Sequence, residues 1–230
     1  MEQKKIALFD IDKTIYNGYL IFPLAEYFFK EHAISHDIVD SLYHDLHLYR
    51  SKQINYETTV ESFNAHLAMG LKNHQPDSIL RTTTTFLGAE EGGNFFPFTE
   101  PLMKLLKRTH DIYLVTGEVQ CVGEAVAEYF SLSGYVSTEM EVVNGMFTGN
   151  IRRSLVKKEG KRDAIGHILS HHPHEDSLAF GDSEGDIDML SKVAHAFCIN
   201  ATEGLLDVAC TQGWHIVTPS TIIEEVKKLL

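Results

Sequence analysis

The sequence has little cysteine and no long apolar run. We expect its three scattered cysteines, Cys121, Cys198 and Cys210, to be buried free thiols in a reducing compartment, because they show no CxxC spacing. No stretch approaches the run of roughly 18 apolar residues that a membrane span needs. The apolar run at 6–9 is too short for the hydrophobic region of a signal peptide, so we expect a cytoplasmic protein.

Positive charge is also scarce. Against 32 Asp and Glu, the chain has only 20 Lys and Arg, which gives a formal net charge of −12 with His neutral. Such a surface repels phosphate backbones and anionic membranes at long range, which argues against nucleic acid or membrane as a partner. A small anion can still bind where a site supplies its own cations.

What the 230 residues do contain is an alternation of short apolar runs and helical patterns. The runs are continuously hydrophobic, as in buried strands of a parallel sheet, and helical patterns with apolar residues three or four apart separate most of them. We therefore predict an α/β fold with a doubly wound, mainly parallel sheet. The predicted strands are 5–9, 112–115, 177–180 and 196–199, with 214–217 weaker, and the predicted helices are 101–108, 119–130, 160–170 and 221–230.

About a hundred residues between the first two strands break this alternation. They contain four helical patterns and no good strand, so we predict an inserted helical cap at 17–91, within a core domain of 1–16 and 92–230. The cap helices are expected at 20–30, 36–49, 57–71 and 76–87, and the return hinge at 88–98. Further on, Asn144-Gly145 between β-forming residues predicts a small hairpin after a strand near 135–138.

Two acids follow the first predicted strand, in Asp10-Ile11-Asp12-Lys13-Thr14. In an open α/β sheet, ligands bind beyond the carboxyl ends of the strands. Two carboxylates placed there repel each other unless a cation lies between them, so a divalent metal is one interpretation. An Asx-turn or a helix N-cap formed by one aspartate is the other.

The second predicted strand ends in Thr116-Gly117-Glu118. A hydroxyl and backbone N–H groups at a helix N-terminus suit a phosphate oxygen. The alternative is that Thr116 is an ordinary helix N-cap.

Four acids, Asp182, Glu184, Asp186 and Asp188, follow the fourth predicted strand. Their number directly after a buried strand favours a metal site over a solvated face. Between this motif and the second strand, Lys161 follows a glycine at a predicted helix start, where a lysine could neutralise a phosphoryl oxygen. As a charge run alone, the segment 157–162 would be ordinary solvated surface.

Taken in order, these motifs resemble the haloacid dehalogenase (HAD) superfamily. The resemblance rests on DxDxT at 10–14, a hydrophobic residue with Thr116, Gly-Lys at 160–161 and GDSxxD at 181–186, and it covers nearly the whole chain. The hairpin at 143–149 and the helical insertion resemble the subgroup that contains phosphoserine phosphatase, which has a C1-type cap.

The resemblance implies a role for each motif residue. Asp10 would be the nucleophile that forms an aspartyl-phosphate, and Asp12 the general acid and base. Mg²⁺ would be held by the Asp10 carboxylate, the Asp12 backbone carbonyl and Asp182. The remaining roles are phosphate binding by Thr116, Gly117 and Lys161, with Lys157 and Lys158 as alternatives to the last, and orientation of Lys161 or a metal-bound water by Asp186.

The resemblance thus implies a Mg²⁺-dependent phosphomonoesterase acting on a small phosphorylated metabolite, with the cap closing over it. A phosphomutase or phosphotransferase and a non-catalytic phosphate-binding protein are the alternatives. Phosphoserine is doubtful as substrate, because Tyr19 stands where phosphoserine phosphatases carry a glutamate that binds the substrate amine. Arg50 or Arg81 could bind a substrate carboxylate, and Glu118 could repel strongly anionic substrates.

Overall fold

The computed structural model describes residues 3–89, 93–156 and 158–230, without the side chains of 158–161. Its seven strands form one sheet in the order β4-β3-β2-β1-β5-β6-β7. All neighbouring strands pair parallel except β3 and β4. The strands are β1 Lys5–Phe9, β2 His110–Val119, β3 Gly134–Val143, β4 Met146–Arg153, β5 Leu178–Gly181, β6 His195–Ile199 and β7 His215–Val217.

Helices connect these strands in the manner of a doubly wound fold. The helices are α1 Ile21–Lys30, α2 His36–Arg50, α3 Tyr56–Gly70, α4 Pro76–Gly88, α5 Thr99–Leu106, α6 Gln120–Tyr129, α7 Lys158–Leu169, α8 Ile187–Leu190, α9 Glu203–Gln212 and α10 Ile222–Lys227. A 3₁₀ turn, Glu184–Asp186, precedes α8. None of the helices in the described ranges combines the length and the apolar character needed to cross a bilayer.

Both faces of the sheet are covered, as the continuously apolar strands predict. Ala7 and Phe9 of β1 belong to one apolar cluster, while Ile6 and Leu8 belong to a second. Because successive side chains of a strand point to opposite faces, the two clusters lie on opposite faces of the sheet. The predicted fold class is confirmed.

The four helices α1 to α4 lie between β1 and β2, where the sequence predicts a helical cap. They are not detached from the sheet layer, since α4 packs against α6 and α3 against β2 and β4. The division into a core of 1–16 and 92–230 and a cap of 17–91 stays a prediction. Part of the predicted return hinge, 90–92, lies outside the described residues.

The two chain segments that enter and leave the insertion run side by side. Tyr16 bridges to Phe95, and the backbone N–H of Phe96 donates to the carbonyl of Ile15 at 2.9 Å. Asn17 N–H also donates to the Asn94 carbonyl at 2.8 Å. These contacts fix the start and end of the insertion next to Asp10 and Asp12.

Several details differ from the sequence predictions. β2 continues four residues beyond its predicted end at Val115, and α9 was not predicted at all. Cys210 is exposed, so the interpretation of three buried thiols is wrong for that residue, although Cys121 and Cys198 are buried. The predicted hairpin is confirmed, with Asn144 and Gly145 at the positive φ angles that its turn requires.

Candidate active site

Three of the predicted acids meet at the carboxyl end of the sheet. Because β1 and β5 pair in parallel register, Asp10 N–H donates to the carbonyl of Phe180 at 3.0 Å, and Asp10 lies beside the loop that follows β5. Asp10, Asp182 and Asp186 are buried and each offers a carboxylate oxygen within 4.8 Å of the others. Such a cluster of oxygens suits Mg²⁺, and burial without a cation would leave the like charges in mutual repulsion.

Asp186 also holds the loop that carries Asp182. Its Oδ2 accepts from the backbone N–H groups of Asp182 and Ser183, at 3.1 and 3.2 Å, and from the Ser183 hydroxyl at 3.3 Å. Gly181 makes this possible, because a Cβ at that position would lie only 2.5 Å from the Asp186 Cβ. Asp186 therefore both belongs to the carboxylate cluster and holds the loop that carries Asp182 by hydrogen bonds.

Asp12 contacts Glu118, and no sequence pattern indicated that these two acids meet. The Asp12 carboxylate accepts from the backbone N–H of Leu20 at 2.9 Å, and its carboxyl group hydrogen-bonds to that of Glu118. Burial, and then the charge of Glu118, hold the pKa of Asp12 well above its usual range. Burial raises the pKa of Glu118 to about 7, against the opposing effect of its hydrogen bond with Asp12.

Thr116 and Gly117 lie beside these acids, but not at a helix N-terminus. α6 begins at Gln120 with Val119 as its N-cap, so the interpretation of Thr116 as a helix cap is wrong. The register of β2 against β3 shifts between Val115 and Val119, and this irregular stretch carries Thr116 to Glu118. Thr116 still lines the same cavity as Asp10, Asp12 and Asp182.

Lys161 falls in the first turn of α7, and its side chain lies outside the described part of the structure, as do Lys157 and the side chain of Lys158. Within the described residues, the cavity is lined by one cationic side chain, that of Lys13. Its Nζ donates to the Tyr19 hydroxyl at 2.6 Å and lies 4.2 Å from the centre of the Tyr19 ring. The sequence prediction missed Lys13 because it considered only the acids of this motif.

The inserted helices supply the opposite wall of the cavity. This wall is largely aromatic, formed by Tyr19, Tyr49, Tyr56 and Phe63. Tyr56 lies close to the acids, and its pKa is held well above its usual range by burial and then by the charge of Asp10. The predicted helix began one residue after Tyr56, so no sequence signal marked it. Arg50 and Arg81 are not among the lining residues.

One further contact joins the two walls. The side-chain amide of Asn64, on α3, donates to the Gly117 carbonyl at 2.8 Å, and the Thr138 hydroxyl donates to the same oxygen at 2.8 Å. Gly117 thus connects the inserted helix to β3 through its backbone. The phosphate-binding roles of Thr116, Gly117 and Lys161 stay predictions.

The family profile described as haloacid dehalogenase-like hydrolase matches residues 7–191, which contain all these motifs. The chain belongs to this family. The predicted family and hydrolase class are therefore confirmed.

Among curated relatives, a phosphoserine phosphatase of Methanocaldococcus jannaschii is 22% identical over 201 residues, covering 86% of this chain and 87% of that protein. The phosphoserine phosphatase SerB2 of Mycobacterium tuberculosis is 33% identical over 98 residues, 42% of this chain and 24% of that protein. A putative hydrolase of Mycobacterium leprae is 30% identical over 46% of this chain and 36% of its own length. The mycobacterial matches thus span about a quarter to a third of those relatives.

Solved structures share the fold. A protein of unknown function from Bordetella pertussis superposes with a TM-score of 0.76 at 20% identity, over 95% of this chain and all of that one. A phospho-aspartyl intermediate analogue of phosphoserine phosphatase superposes with a TM-score of 0.64 at 20% identity, over 95% and 94% of the two chains. The predicted likeness to phosphoserine phosphatases is therefore confirmed.

Proposed function

We propose that this protein is a Mg²⁺-dependent phosphomonoesterase that hydrolyses a small phosphorylated metabolite through an aspartyl-phosphate on Asp10. The observation that carries the proposal is the cluster of Asp10, Asp182 and Asp186, of which Asp10 and Asp182 line a cavity together with Asp12 and Thr116. A protein that only binds phosphate has no use for a nucleophilic carboxylate beside a proton donor.

The buried acids fit a divalent cation, because three carboxylates within 4.8 Å need positive charge between them. The Asp10 and Asp182 carboxylates and the Asp12 backbone carbonyl would hold Mg²⁺, with Asp186 beside them. When bound, Mg²⁺ would neutralise charge on the phosphoryl oxygens. The magnesium requirement is part of the proposal.

In the first step, a carboxylate oxygen of Asp10 attacks phosphorus as the bond from phosphorus to the alcohol oxygen breaks. Asp12 gives its proton to the departing oxygen, so the alcohol leaves neutral. The raised pKa of Asp12 supports this role, since it favours the protonated form that a general acid must have. Thr116 and Lys161 would bind phosphoryl oxygens during the transfer.

In the second step, the Asp12 carboxylate takes a proton from a water molecule that attacks phosphorus. The bond from Asp10 to phosphorus breaks, and inorganic phosphate leaves with the free Asp10 carboxylate restored. The aromatic wall of the inserted helices would exclude other water molecules from the acyl-phosphate.

The relatives named phosphoserine phosphatase make phosphoserine the first substrate to assay. The presence of Tyr19, whose hydroxyl is already hydrogen-bonded to Lys13, argues against it as the best substrate. A panel of amino-acid, sugar and head-group phosphates should therefore accompany it.

The test is release of inorganic phosphate from this panel with Mg²⁺. We expect Asp10→Asn to abolish turnover while circular dichroism shows that the fold is retained. Asp207→Asn, at an exposed position of α9 that does not line the cavity, is the matched control and should keep the activity. Excess chelator should stop the reaction, and beryllium trifluoride should inhibit it by mimicking the acyl-phosphate.

Two results would contradict the proposal. Full turnover in excess chelator would remove Mg²⁺ from the mechanism, and full turnover of Asp10→Asn would remove the aspartyl-phosphate. An isomerised sugar phosphate without free phosphate would indicate a phosphomutase instead.

A further inference from the structure

Glu118 has a buried carboxylate oxygen that the reaction above does not use. The residue is only 7% exposed and lines the cavity with Asp10 and Asp12. Its carboxyl group contacts Asp12, yet its Oε2 is buried without a hydrogen-bond partner among the described residues. A buried acceptor without a partner costs about 1–3 kcal/mol, so a ligand that brings a donor to it gains affinity.

Glu184 also lines the cavity, but it already has a hydrogen-bond partner. Glu184 Oε2 already accepts from the Thr202 hydroxyl at 2.8 Å. Two donors of the cavity wall are also engaged, since the Glu118 N–H donates to the Thr116 hydroxyl and the Asn64 amide donates to the Gly117 carbonyl. No donor to Glu118 Oε2 is found among the described residues, so a bound molecule can supply one.

The charges that line the cavity limit what that molecule carries. Five acidic side chains line it, Asp10, Asp12, Glu118, Asp182 and Glu184, against Lys13 as the one described cation. Mg²⁺ and Lys161 would both be engaged by the phosphoryl group. The wall beyond the phosphate is largely aromatic and apolar, and the one described cation, Lys13, is hydrogen-bonded to Tyr19 and lies in the field of Asp182, so a carboxylate on the leaving group would face an excess of acids.

We propose that Glu118 determines specificity by accepting a hydrogen bond from the leaving group, whose alcohol carries a hydroxyl or ammonium group and no carboxylate. This inference rests on the proposed phosphomonoesterase function. The donor would lie close to the scissile oxygen, because Glu118 contacts Asp12, which protonates that oxygen.

A matched set of two-carbon phosphate monoesters tests the inference on the whole chain with Mg²⁺. The set contains ethyl phosphate, 2-hydroxyethyl phosphate, 2-aminoethyl phosphate and phosphoglycolate, with phosphoserine as a longer carboxylate. We expect kcat/KM for the hydroxyl and ammonium esters to exceed that of ethyl phosphate by about tenfold or more. The two carboxylate esters should be the poorest substrates.

Variants of Glu118 are judged by ratios within one enzyme, because any common effect on Asp12 then cancels. Glu118→Ala should bring the donor-bearing esters down to the level of ethyl phosphate. Glu118→Gln should remove most of the ammonium preference but keep part of the hydroxyl preference, since the amide oxygen still accepts. Glu184→Gln, on the same cavity but already partnered by Thr202, should leave the ratios unchanged.

The possible failures can be told apart. If the wild-type protein prefers phosphoserine or phosphoglycolate, or treats ethyl phosphate as well as the donor-bearing esters, the specificity inference is wrong and the phosphatase proposal stands. Equal ratios in the wild type and Glu118→Ala would likewise overturn the role of Glu118. If no ester, including p-nitrophenyl phosphate, releases phosphate, both proposals fail.

Discussion

The Asp186 side chain acts at the end of β5 both as a hydrogen-bond acceptor and as a negative charge, and replacing it with asparagine separates these two roles. Its Oδ2 accepts three hydrogen bonds from Asp182 and Ser183, and its charge lies within 4.8 Å of the Asp10 and Asp182 carboxylates. Asparagine keeps an acceptor oxygen in the same place but removes the charge. The variant should therefore alter stability and cation binding in opposite directions.

The magnitudes follow from these distances. Asp186 forms two like-charge pairs, and at 4.8 Å and an effective dielectric constant of 20 each repels by about 3.5 kcal/mol. Without a cation, uptake of a proton by the cluster relieves part of this repulsion, so we count one pair. Hydrogen bonds to a charged acceptor are stronger than those to a neutral amide, and this difference offsets about 1 kcal/mol of the relief. In the presence of EDTA, we expect Asp186→Asn to raise the free energy of unfolding by about 2.5 kcal/mol.

Added Mg²⁺ should narrow this difference in stability. The wild-type protein should gain about 2.7 kcal/mol at a Mg²⁺ concentration of a hundred times Kd. A Kd raised about tenfold in the variant would reduce that gain by about 1.4 kcal/mol at the same concentration. Urea unfolding with EDTA and with Mg²⁺ measures both effects, and Asp207→Asn again serves as the matched change of charge.

The reasoning would be refuted by a variant that is less stable than the wild type in EDTA and gains as much from Mg²⁺. That result would mean that Asp186 acts only through its hydrogen bonds. The three carboxylates would then not form a cation site.

Three further predictions test the packing, a buried histidine and the thiols. Gly181→Ala should lower the free energy of unfolding by about 1–3 kcal/mol, because its Cβ would lie 2.5 Å from that of Asp186. Gly166→Ala, at an exposed position of α7 with open space around it, should raise the free energy of unfolding by about 1 kcal/mol. Equal effects of the two substitutions in urea unfolding would contradict this prediction. Burial lowers the pKa of His110 below its ordinary value, so the unfolded chain binds a proton more readily and stability should fall as the pH falls through about 6.5. Between pH 7.5 and pH 5.5, the urea midpoint of unfolding should fall less steeply for His110→Gln than for the wild type. An equal pH dependence of the two proteins would contradict this role of His110. Ellman's reagent should label Cys210 alone in the native protein, because the other two thiols are buried and their pKa is raised to about 12; rapid labelling of all three would show otherwise.

Much of the fold could be predicted because its signals are local. The continuously apolar strands and the spacing of the four inserted helices are properties of short segments, and their bounds in the structure agree with the predicted ones to within a few residues. The acids after β1 and β5 could be expected to meet, because parallel strands bring their carboxyl ends to one edge of a sheet. Asp10, Asp182 and Asp186 do meet there.

The surroundings of Glu118 could not be predicted in this way. Its direction depends on the irregular pairing of β2 with β3 between Val115 and Val119, and a register shift of this kind redirects the side chains of the shifted residues. The pairing partner lies about twenty residues further along the chain, so no local pattern specifies the shift. The contact between Lys13 and Tyr19 likewise depends on how the connection to α1 folds back.

The packing of α4 limits how a metabolite reaches the carboxylates. α4 lies against α6, with Phe86 fully buried, so a swing of all four inserted helices would bring this apolar surface into water. The cavity is bordered instead by α2 and α3, and the turn at 51–55 that joins them is largely exposed. Entry of a metabolite should therefore depend on local opening of the turn at 51–55. The backbone amides of this turn should exchange with deuterium much faster than those of α4.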